Sequence, residues 1–143
     1  MDKDIPSWSK YFMNMAETAS TRSKDPFTKV GAYIVDKNNR TISSGFNGMV
    51  EGMLEDDFLW QRPTKYDFVL HAELNAILNC SKSPKGGKIF ITLFPCKNCA
   101  KAIAGAGIKK VYYKDHELNS KSYLDPISVD IFKRCGIEVL QVK

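Results

Sequence analysis

The chain of 143 residues is 43% hydrophobic and 26% charged, and it carries a formal net charge of +5. This composition is that of a globular protein with one sizeable core, and it excludes disordered and membrane-spanning chains, because no apolar run approaches the ~20 residues that cross a bilayer. The positive charge fits either an anionic partner or a solvated basic surface, and the lack of a long basic run disfavours extended nucleic-acid binding.

A helix and a β-hairpin are predicted for the first third of the chain. The segment 8–20 places apolar side chains at three- and four-residue spacings, and Ser7 stands where a helix cap is expected. The apolar stripe consists of Trp8, Phe12, Met15, Ala16 and Ala19. The segments 29–36 and 40–48 have the character of strands, and the polar residues between them predict a turn that joins them into an antiparallel hairpin.

Residues 49–68 show no regular period and are predicted to form a long connection. Long connections inside compact domains often take part in function. Two aromatic residues in this connection, Phe58 and Trp60, suit either of two roles. They could fold over a bound ligand, or they could anchor the connection to the rest of the protein.

Helices and strands alternate from residue 71 to residue 142. The predicted helices cover 71–82, 96–107 and 125–135, and the predicted strands cover 86–94, 109–115 and 136–142. Such alternation favours parallel strands with helices packed on the sheet. Together with the hairpin, it predicts one α/β domain over residues 1–143, a three-layer α/β/α sandwich with a mixed five-stranded sheet. In the first of these helices, Ala76, Ile77 and Leu78 are expected to supply much of the buried surface.

Polar pairs stand at the starts of two predicted helices. His71 and Glu73 open the helix after the long connection, and Cys96 and Cys99 open the helix after a buried strand. Cysteines three residues apart share one face of the first helical turn, where backbone N–H groups favour the thiolate. If the two helix starts meet, His71, Cys96 and Cys99 supply three ligands of a tetrahedral zinc site whose fourth position is open to water.

Glu73 is too close to His71 in sequence to be a good fourth ligand, but it is well placed to move a proton. Zinc lowers the pKa of a bound water to about 7, and hydroxide made in this way can attack an sp² carbon. The combination of H-x-E with P-C-x-x-C is the signature of zinc nucleobase deaminases. Two other interpretations of the cysteine pair stay open, namely a thioredoxin-like redox dithiol and a structural zinc in a non-catalytic module.

The remaining cysteines and the second histidine form no comparable pattern. Cys80 and Cys135 are predicted to be small buried thiols, and His116 is predicted to be a surface loop residue. Residues 1–10 lack the apolar segment of a signal peptide. The chain is therefore expected to stay in the cytoplasm, where cysteines remain reduced.

The motifs and their surroundings resemble the cytidine deaminase-like superfamily, and within it the deoxycytidylate deaminase family. The resemblance covers most of the chain and rests on TRSKDPFTKVGAYIVD (21–36), SGFNG (44–48), HAELNAIL (71–78) and ITLFPCKNCAKAIAGAGIKKVYY (91–113). The RSKDP and GFNG segments separate this family from deaminases of tRNA adenosine, of free nucleosides and of the riboflavin pathway, which share the zinc motif.

The resemblance implies a zinc-dependent hydrolase that converts dCMP and water to dUMP and ammonia, and so supplies dUMP for thymidylate synthesis. It implies that His71, Cys96 and Cys99 hold one catalytic zinc ion per chain and that Glu73 is the proton shuttle. The alternative substrate is dCTP, with or without dCMP. A base in nucleic acid is disfavoured, because the chain has no added basic tail.

The resemblance also implies a substrate site. Asn47, in the turn after the second strand, is expected to hydrogen-bond the sugar, although Asn beside Gly is also a common turn pair. Arg22, Ser23 and Lys24 precede the first strand and are candidates for the substrate phosphate. An arginine fork can bind two phosphate oxygens. A solvated basic turn is the other interpretation of these three residues.

The connection 49–70 departs from the family pattern. Val50 and Glu51 stand where the family has a proline and often an arginine, and the connection lacks the extra Cys and His ligands of some members, which predicts a single zinc. In the family this loop helps to form a nucleotide effector site, with activation by dCTP, which would carry Mg²⁺, and inhibition by dTTP. The altered loop leaves this regulation open. The resemblance further implies a homo-oligomer, commonly a hexamer, and no membrane partner.

Overall fold

The computed structural model describes residues 3–114 and 124–143. Within these residues the α-helices are α1 (Trp8–Ser20), α2 (Lys65–Phe68), α3 (Ala72–Leu78), α4 (Lys97–Gly105) and α5 (Pro126–Arg134). The strands are β1 (Gly31–Val35), β2 (Thr41–Phe46), β3 (Lys88–Ile91), β4 (Lys110–Lys114) and β5 (Glu138–Val142), and a 3₁₀ helix covers Asp57–Trp60. None of the helices described combines the length and the apolar character that a membrane span requires.

The strands form one mixed sheet in the order β2-β1-β3-β4-β5. Strand β1 is antiparallel to both of its neighbours, with Ala32 opposite Gly45 of β2 on one side and opposite Ile91 of β3 on the other. Strands β3, β4 and β5 are parallel, and Ile89 of β3 lies opposite Val111 of β4. The predicted hairpin and the predicted parallel pairing of the later strands are both confirmed.

Helices cover both faces of the sheet, which confirms the predicted three-layer α/β/α sandwich. Alternate residues of β1 serve two separate cores, because successive side chains of a strand point to opposite faces. On one face α1 packs against the sheet, and the rings of Phe12 and Phe90 lie 5.3 Å apart between centroids. On the other face α3, α4 and α5 cover a larger core that includes Ala76, Ile103 and Phe132.

Helix α1 is capped as predicted, but its buried stripe differs from the prediction. The Ser7 hydroxyl accepts a hydrogen bond from the backbone N–H of Lys10 at 3.2 Å. Trp8 is exposed and Met13, which the predicted stripe omits, is buried. Trp8 lies in the first turn, where it stacks on Phe12 with ring centroids 5.5 Å apart. The outer surface of the aromatic cluster is therefore formed by Trp8.

Helix α3 ends at Leu78 instead of near residue 82. Ala72 and Ala76 are fully buried, but Leu78 is 70% exposed, so the prediction that Leu78 supplies buried surface is wrong. Leu78 follows Ala76 by two residues, which is about 200° around a helix, and this rotation turns it away from the sheet.

The predictions for the other cysteines and the second histidine have separate outcomes. Cys80 is partly buried, but Cys135 is exposed, so the prediction of a buried thiol is wrong for Cys135. Cys135 forms the C-terminal cap of α5, and Gly136 follows at a positive φ of 66°, so the chain turns at the protein surface. His116 lies outside the described residues.

The connection between β2 and α3 contains the 3₁₀ helix and α2, which the sequence pattern does not predict. Its two ends are joined by backbone hydrogen bonds between Gly48 and Leu70, of 3.0 and 2.8 Å. Trp60 is buried and its indole N–H donates to Glu55 at 3.1 Å, whereas Phe58 is exposed. Trp60 therefore anchors the connection, and neither aromatic residue lines the cleft described below.

The close approach of α3 to the sheet depends on Gly45. A Cβ atom at this position would lie against the backbone N of Ala76 and 2.6 Å from the backbone O of Ala72. We expect Gly45→Ala to lower the free energy of unfolding by about 1–3 kcal/mol, the usual cost of overpacking, in urea titrations. Gly105→Ala is the matched control, because a Cβ there meets nothing within 4 Å. Equal stability of the two variants would contradict this account of the packing.

Candidate metal centre and active-site cleft

Helices α3 and α4 begin at the same edge of the sheet. Asn75 in α3 donates to the backbone O of Phe46 at 2.8 Å, and Ser81 beyond its end donates to the backbone O of Ile42 at 3.1 Å, so α3 runs antiparallel to β2. Strands β2 and β3 point the same way, because both are antiparallel to β1. The start of α3 therefore lies at the carboxyl end of β3, where α4 begins.

This edge brings together His71, Cys96 and Cys99. His71 and Cys96 occupy the cap positions of α3 and α4, and Cys99 lies in the first turn of α4. His71 Nδ1 lies 3.3 Å from Cys99 Sγ and 3.5 Å from Cys96 Sγ. All three ligand atoms lie within 4.8 Å of one another.

The spacing of these atoms fits zinc. Zinc bond lengths of about 2.3 Å to sulfur and about 2.0 Å to nitrogen, at a tetrahedral angle, require a separation of roughly 3.6 Å between a nitrogen and a sulfur ligand. The two separations from His71 are close to this value. Three such ligands could hold one zinc ion and leave its fourth position to a non-protein ligand.

The two cysteines differ in acidity because their side chains form a hydrogen bond with each other. A hydrogen bond from the Cys99 thiol, followed in strength by one from His71, lowers the pKa of Cys96 from 9.0 to about 3. The same hydrogen bond and burial raise the pKa of Cys99, and the contact with Cys96 raises the pKa of His71. Cys96 is thus the more acidic of the two thiols, and a metal ion bound by both sulfurs would have to displace the proton of Cys99.

Glu73 lies in the first turn of α3, two residues after His71, and its side chain is buried in the cleft wall. Burial raises the pKa of its carboxyl group above the ordinary value of 4.5. A carboxyl group with a raised pKa takes up a proton more readily than an ordinary carboxylate does. Glu73 can therefore carry a proton beside the three ligand residues.

A cleft of about 260 Å³ opens beside these groups. It lies between the residues before β1, the turn after β2, the end of the long connection and the residues after β3. Its apolar lining consists of Val30, Val69, Ala72, Leu93 and Phe94. Its polar lining beyond the three groups His71, Glu73 and Cys96 consists of Asp25, Thr28, Asn47, Arg62, Lys65 and Tyr66.

Asn47 is a wall residue of this cleft, as its predicted role requires, but most of its side-chain amide is used within the protein. Its Nδ2 donates to Asp25 Oδ2 at 3.2 Å and to the backbone O of Thr28 at 2.9 Å. Its Oδ1 accepts from the backbone N–H of Val30 at 2.8 Å. An amide oxygen has two lone pairs, so Oδ1 retains capacity for one further hydrogen bond.

Asp25 and Lys65 form a buried ion pair in the same wall. Lys65 Nζ lies 2.7 Å from Asp25 Oδ2, and the two side chains are 5% and 2% exposed. Burial acts to raise the pKa of Asp25. The hydrogen bonds from Lys65 and from the backbone N–H groups of Phe27 and Thr28 outweigh burial and hold the pKa below 3.8. Asp25 therefore stays ionised.

The residues predicted to bind phosphate lie outside the lining of the cleft. Ser23 is buried, and its hydroxyl donates to the backbone O of Asn47 at 2.8 Å. Arg22 is exposed, and so is Lys24, whose Nζ lies 3.3 Å from Glu55. The structure brings this segment next to Asn47 and directs the Ser23 hydroxyl to the Asn47 backbone.

Sequence reasoning missed three charged residues of the cleft: Asp25, Arg62 and Lys65. Asp25 is part of the RSKDP segment, and the two cations belong to the long connection just before His71. A signal was present, since long connections in compact domains are often functional and this one ends beside the metal motif. The pairing itself could not be found from spacing, because Asp25 and Lys65 are 40 positions apart.

A five-stranded α/β/α sandwich with a His–Cys–Cys ligand set and a buried glutamate at the start of the histidine helix defines the class of zinc-dependent deaminases. Residues 6–115 match the family model described as the cytidine and deoxycytidylate deaminase zinc-binding region. The chain belongs to this family.

Several known proteins are similar to the chain over most of its length. It is 39% identical to the deoxycytidylate deaminase of Mus musculus over 141 residues, which covers 94% of this chain and 79% of that protein. It is 44% identical to the deoxycytidylate deaminase of Pongo abelii over 117 residues, which covers 77% of this chain and 66% of that protein. The crystal structure of dCMP deaminase from the cyanophage S-TIM5, in complex with dCMP and dUMP, matches with 34% identity, a TM-score of 0.74 and 99% of both chains.

Proposed function

We propose that this protein is a zinc-dependent hydrolase that deaminates dCMP to dUMP and releases ammonia. The observation that carries this proposal is the meeting of His71, Cys96 and Cys99 around one point, with buried Glu73 beside them at a cleft. Membership of the deaminase family and similarity to relatives named for dCMP support the choice of reaction and substrate.

Glu73 is the proton carrier in the proposed reaction. When bound by His71, Cys96 and Cys99, zinc supplies a water of lowered pKa. Glu73 would carry the two protons of the attacking water in turn, the first to the ring nitrogen beside the reacting carbon and the second to the exocyclic amine. The water oxygen bonds to that carbon, and the bond between the carbon and the amine breaks to release ammonia. The raised pKa of Glu73 suits this double role, because the same carboxyl group must take up the proton and hold it between the two transfers.

The rest of the cleft suits a single nucleotide. Its apolar lining offers flat contact surface to a base, and Asn47 is the proposed partner of the sugar. A volume of about 260 Å³ is near the lower end of small-molecule pockets, which begin at about 300 Å³. A single mononucleotide is therefore the proposed occupant of the cleft.

Arg62 is our first candidate for the substrate phosphate. It lines the cleft, and it forms no ion pair with a carboxylate among the described residues. Its guanidinium carbon lies 4.5 Å from the centroid of the Phe27 ring, a contact that leaves the edge of the planar fork available to oxygen ligands. Arg22, Ser23 and Lys24 remain the candidates predicted from the resemblance. Of the two cations that line the cleft, Lys65 is paired with Asp25, which leaves Arg62 as the candidate from the cleft itself.

The alternative substrate dCTP, regulation by nucleotides and the oligomeric state are predictions that rest on the sequence. The relatives named above give no support to dCTP as the substrate, and dCTP is best treated as a comparison arm in the assay. Activation by dCTP with Mg²⁺, inhibition by dTTP and a homo-oligomer are likewise proposals from the family resemblance, and a cytoplasmic location is a proposal from the N-terminal sequence. A redox dithiol would leave Glu73 and His71 without a role, and a structural zinc would call for a fourth protein ligand.

The role of Glu73 predicts a separation of metal binding from turnover. We expect Glu73→Ala to keep bound zinc and to lower kcat by at least roughly 10²–10⁴-fold, the contribution of a general acid–base group. Zinc content by mass spectrometry and ammonia release measure the two properties. Glu138→Gln, an exposed glutamate in β5, is the control and should keep full turnover. Near-normal turnover in zinc-loaded Glu73→Ala would refute this role.

The ligand set predicts a difference between two cysteines. We expect one zinc per chain in the protein, and a large loss of zinc in Cys99→Ser, because a hydroxyl is a much poorer zinc ligand than a thiolate. Cys135→Ser changes an exposed thiol at the end of α5 and should keep the full zinc content. If Cys99→Ser retains one tightly bound zinc per chain after dialysis against a chelator, Cys99 is not a ligand.

The role of Arg62 predicts a loss that depends on the substrate phosphate. We expect Arg62→Met to raise KM for dCMP by roughly 10–100-fold, the effect of a hydrogen bond to a charged group, and to change little for deoxycytidine. Arg22→Met, assayed in parallel, tests the competing candidate. If Arg62→Met impairs dCMP and deoxycytidine equally, Arg62 does not bind the phosphate.

A further inference from the structure

The buried ion pair of Asp25 and Lys65 has no part in the proposed chemistry, although it lies in the cleft wall. Lys65 belongs to α2, at the end of the long connection, and Asp25 belongs to the segment before β1. A buried ion pair is weak support for stability, because removing two charges from water is costly. Its position beside Asn47 suggests a different purpose.

The Asp25 carboxylate is fully committed within the protein. Its Oδ1 accepts hydrogen bonds from the backbone N–H groups of Phe27 and Thr28, at 2.8 and 3.2 Å. Its Oδ2 accepts from Lys65 Nζ at 2.7 Å and from Asn47 Nδ2 at 3.2 Å. Lys65 and Asn47 thus donate to the same oxygen atom, and Lys65 makes the shorter of the two contacts that hold that atom.

This arrangement decides which way the Asn47 amide faces. Turned by 180°, its oxygen would face Asp25 Oδ2 and the backbone O of Thr28, and its NH₂ group would face the N–H of Val30. All three contacts would then be repulsive. Asn47 Nδ2 is therefore occupied by contacts within the protein, and Asn47 Oδ1 can accept one hydrogen bond from a ligand.

We propose that Asp25 and Lys65 are positioning residues that hold Asn47 as a hydrogen-bond acceptor for the sugar hydroxyl of the substrate. The proposal rests on the proposed function, since the sugar is that of dCMP. Deoxyribose in dCMP carries one free hydroxyl group, and a hydroxyl donates to an amide oxygen. Lys65 acts through Asp25 and Asn47, without contact to the substrate.

The surroundings of Lys65 separate this role from phosphate binding. Its ammonium nitrogen lies 5.1 Å from the centroid of the Phe27 ring and 5.6 Å from that of Tyr66, in addition to its contact with Asp25. Its charge is balanced by a carboxylate, and its side chain is 5% exposed. A phosphate at Lys65 would have to compete with the Asp25 carboxylate.

A double-mutant cycle tests the proposal. We expect Lys65→Met to keep zinc and to raise KM for dCMP roughly tenfold, the effect of one average hydrogen bond, with kcat changed far less. Asn47→Ala should show a similar loss, and the double variant Lys65→Met/Asn47→Ala should lose no more than Asn47→Ala alone. Lys82→Met, which removes an exposed lysine paired with Asp36, is the matched control and should leave KM unchanged.

The substrate provides an independent arm of the same test. 2′,3′-Dideoxycytidine monophosphate lacks the sugar hydroxyl, so Lys65→Met should not raise its KM further above the wild-type value. Additive losses in the double variant, an unchanged KM for dCMP, or a loss seen for dCMP but not for deoxycytidine would each overturn the proposal. The last result would assign Lys65 to the phosphate.

A spectroscopic readout keeps this inference separate from the proposed activity. In ¹⁵N-resolved NMR spectra of the zinc-loaded protein, the two Asn47 Nδ2 protons should be distinct and protected from exchange. Lys65→Met should reduce the protection of the proton donated to Asp25 and leave that of the proton donated to Thr28 largely unchanged. Lys65→Gln, which keeps a donor without a charge, serves in the same cycle if Lys65→Met does not fold, with a smaller shift in the same direction. A wild-type protein that leaves dCMP unchanged but shows protected Asn47 protons would refute the substrate and retain the positioning pair.

Discussion

The antiparallel run of α3 against β2 is the constraint on which the rest of the site depends. Because of it, the start of α3 lies at the edge where β3 ends and α4 begins. A ligand from each helix start can then approach a common point, and Glu73 follows His71 into the same space. The contact is possible since Gly45 leaves no Cβ between β2 and α3. The position of the candidate metal ligands therefore depends on how closely and in which direction α3 packs against β2.

The parts of the structure that follow from local pattern could be predicted from the sequence. Apolar periodicity and turn residues located the long helices and all five strands to within a few positions, because those signals are short-range. The meeting of His71, Cys96 and Cys99 was predictable for a second reason. His71 and Cys96 each stand at the start of a helix that packs on the sheet. An α/β fold allows few arrangements of two such helix starts, and the combined motif is typical of one of them.

The polar wall of the cleft was not predictable in the same way. The pairing of Asp25 with Lys65 and the hydrogen bond of Ser23 to the Asn47 backbone join residues that lie 40 and 24 positions apart. No period or motif encodes such contacts, since they arise from how two irregular segments fold against each other. The exposure of Leu78 has a related cause. It is an apolar residue in a helix, and only the orientation of that helix on the sheet decides which of its sides is buried.

The hydrogen bonds between Gly48 and Leu70 join the two ends of a loop of 21 intervening residues. The loop therefore leaves the sheet and returns to it at one place. The entropy of closing a loop grows only slowly with its length, so a change in the length of this segment costs the fold little. That segment carries two cations of the cleft, Arg62 and Lys65, whereas His71, Glu73, Cys96 and Cys99 lie outside it. A change of length within this segment can therefore move two charged groups of the cleft without moving His71, Glu73 and the two cysteines.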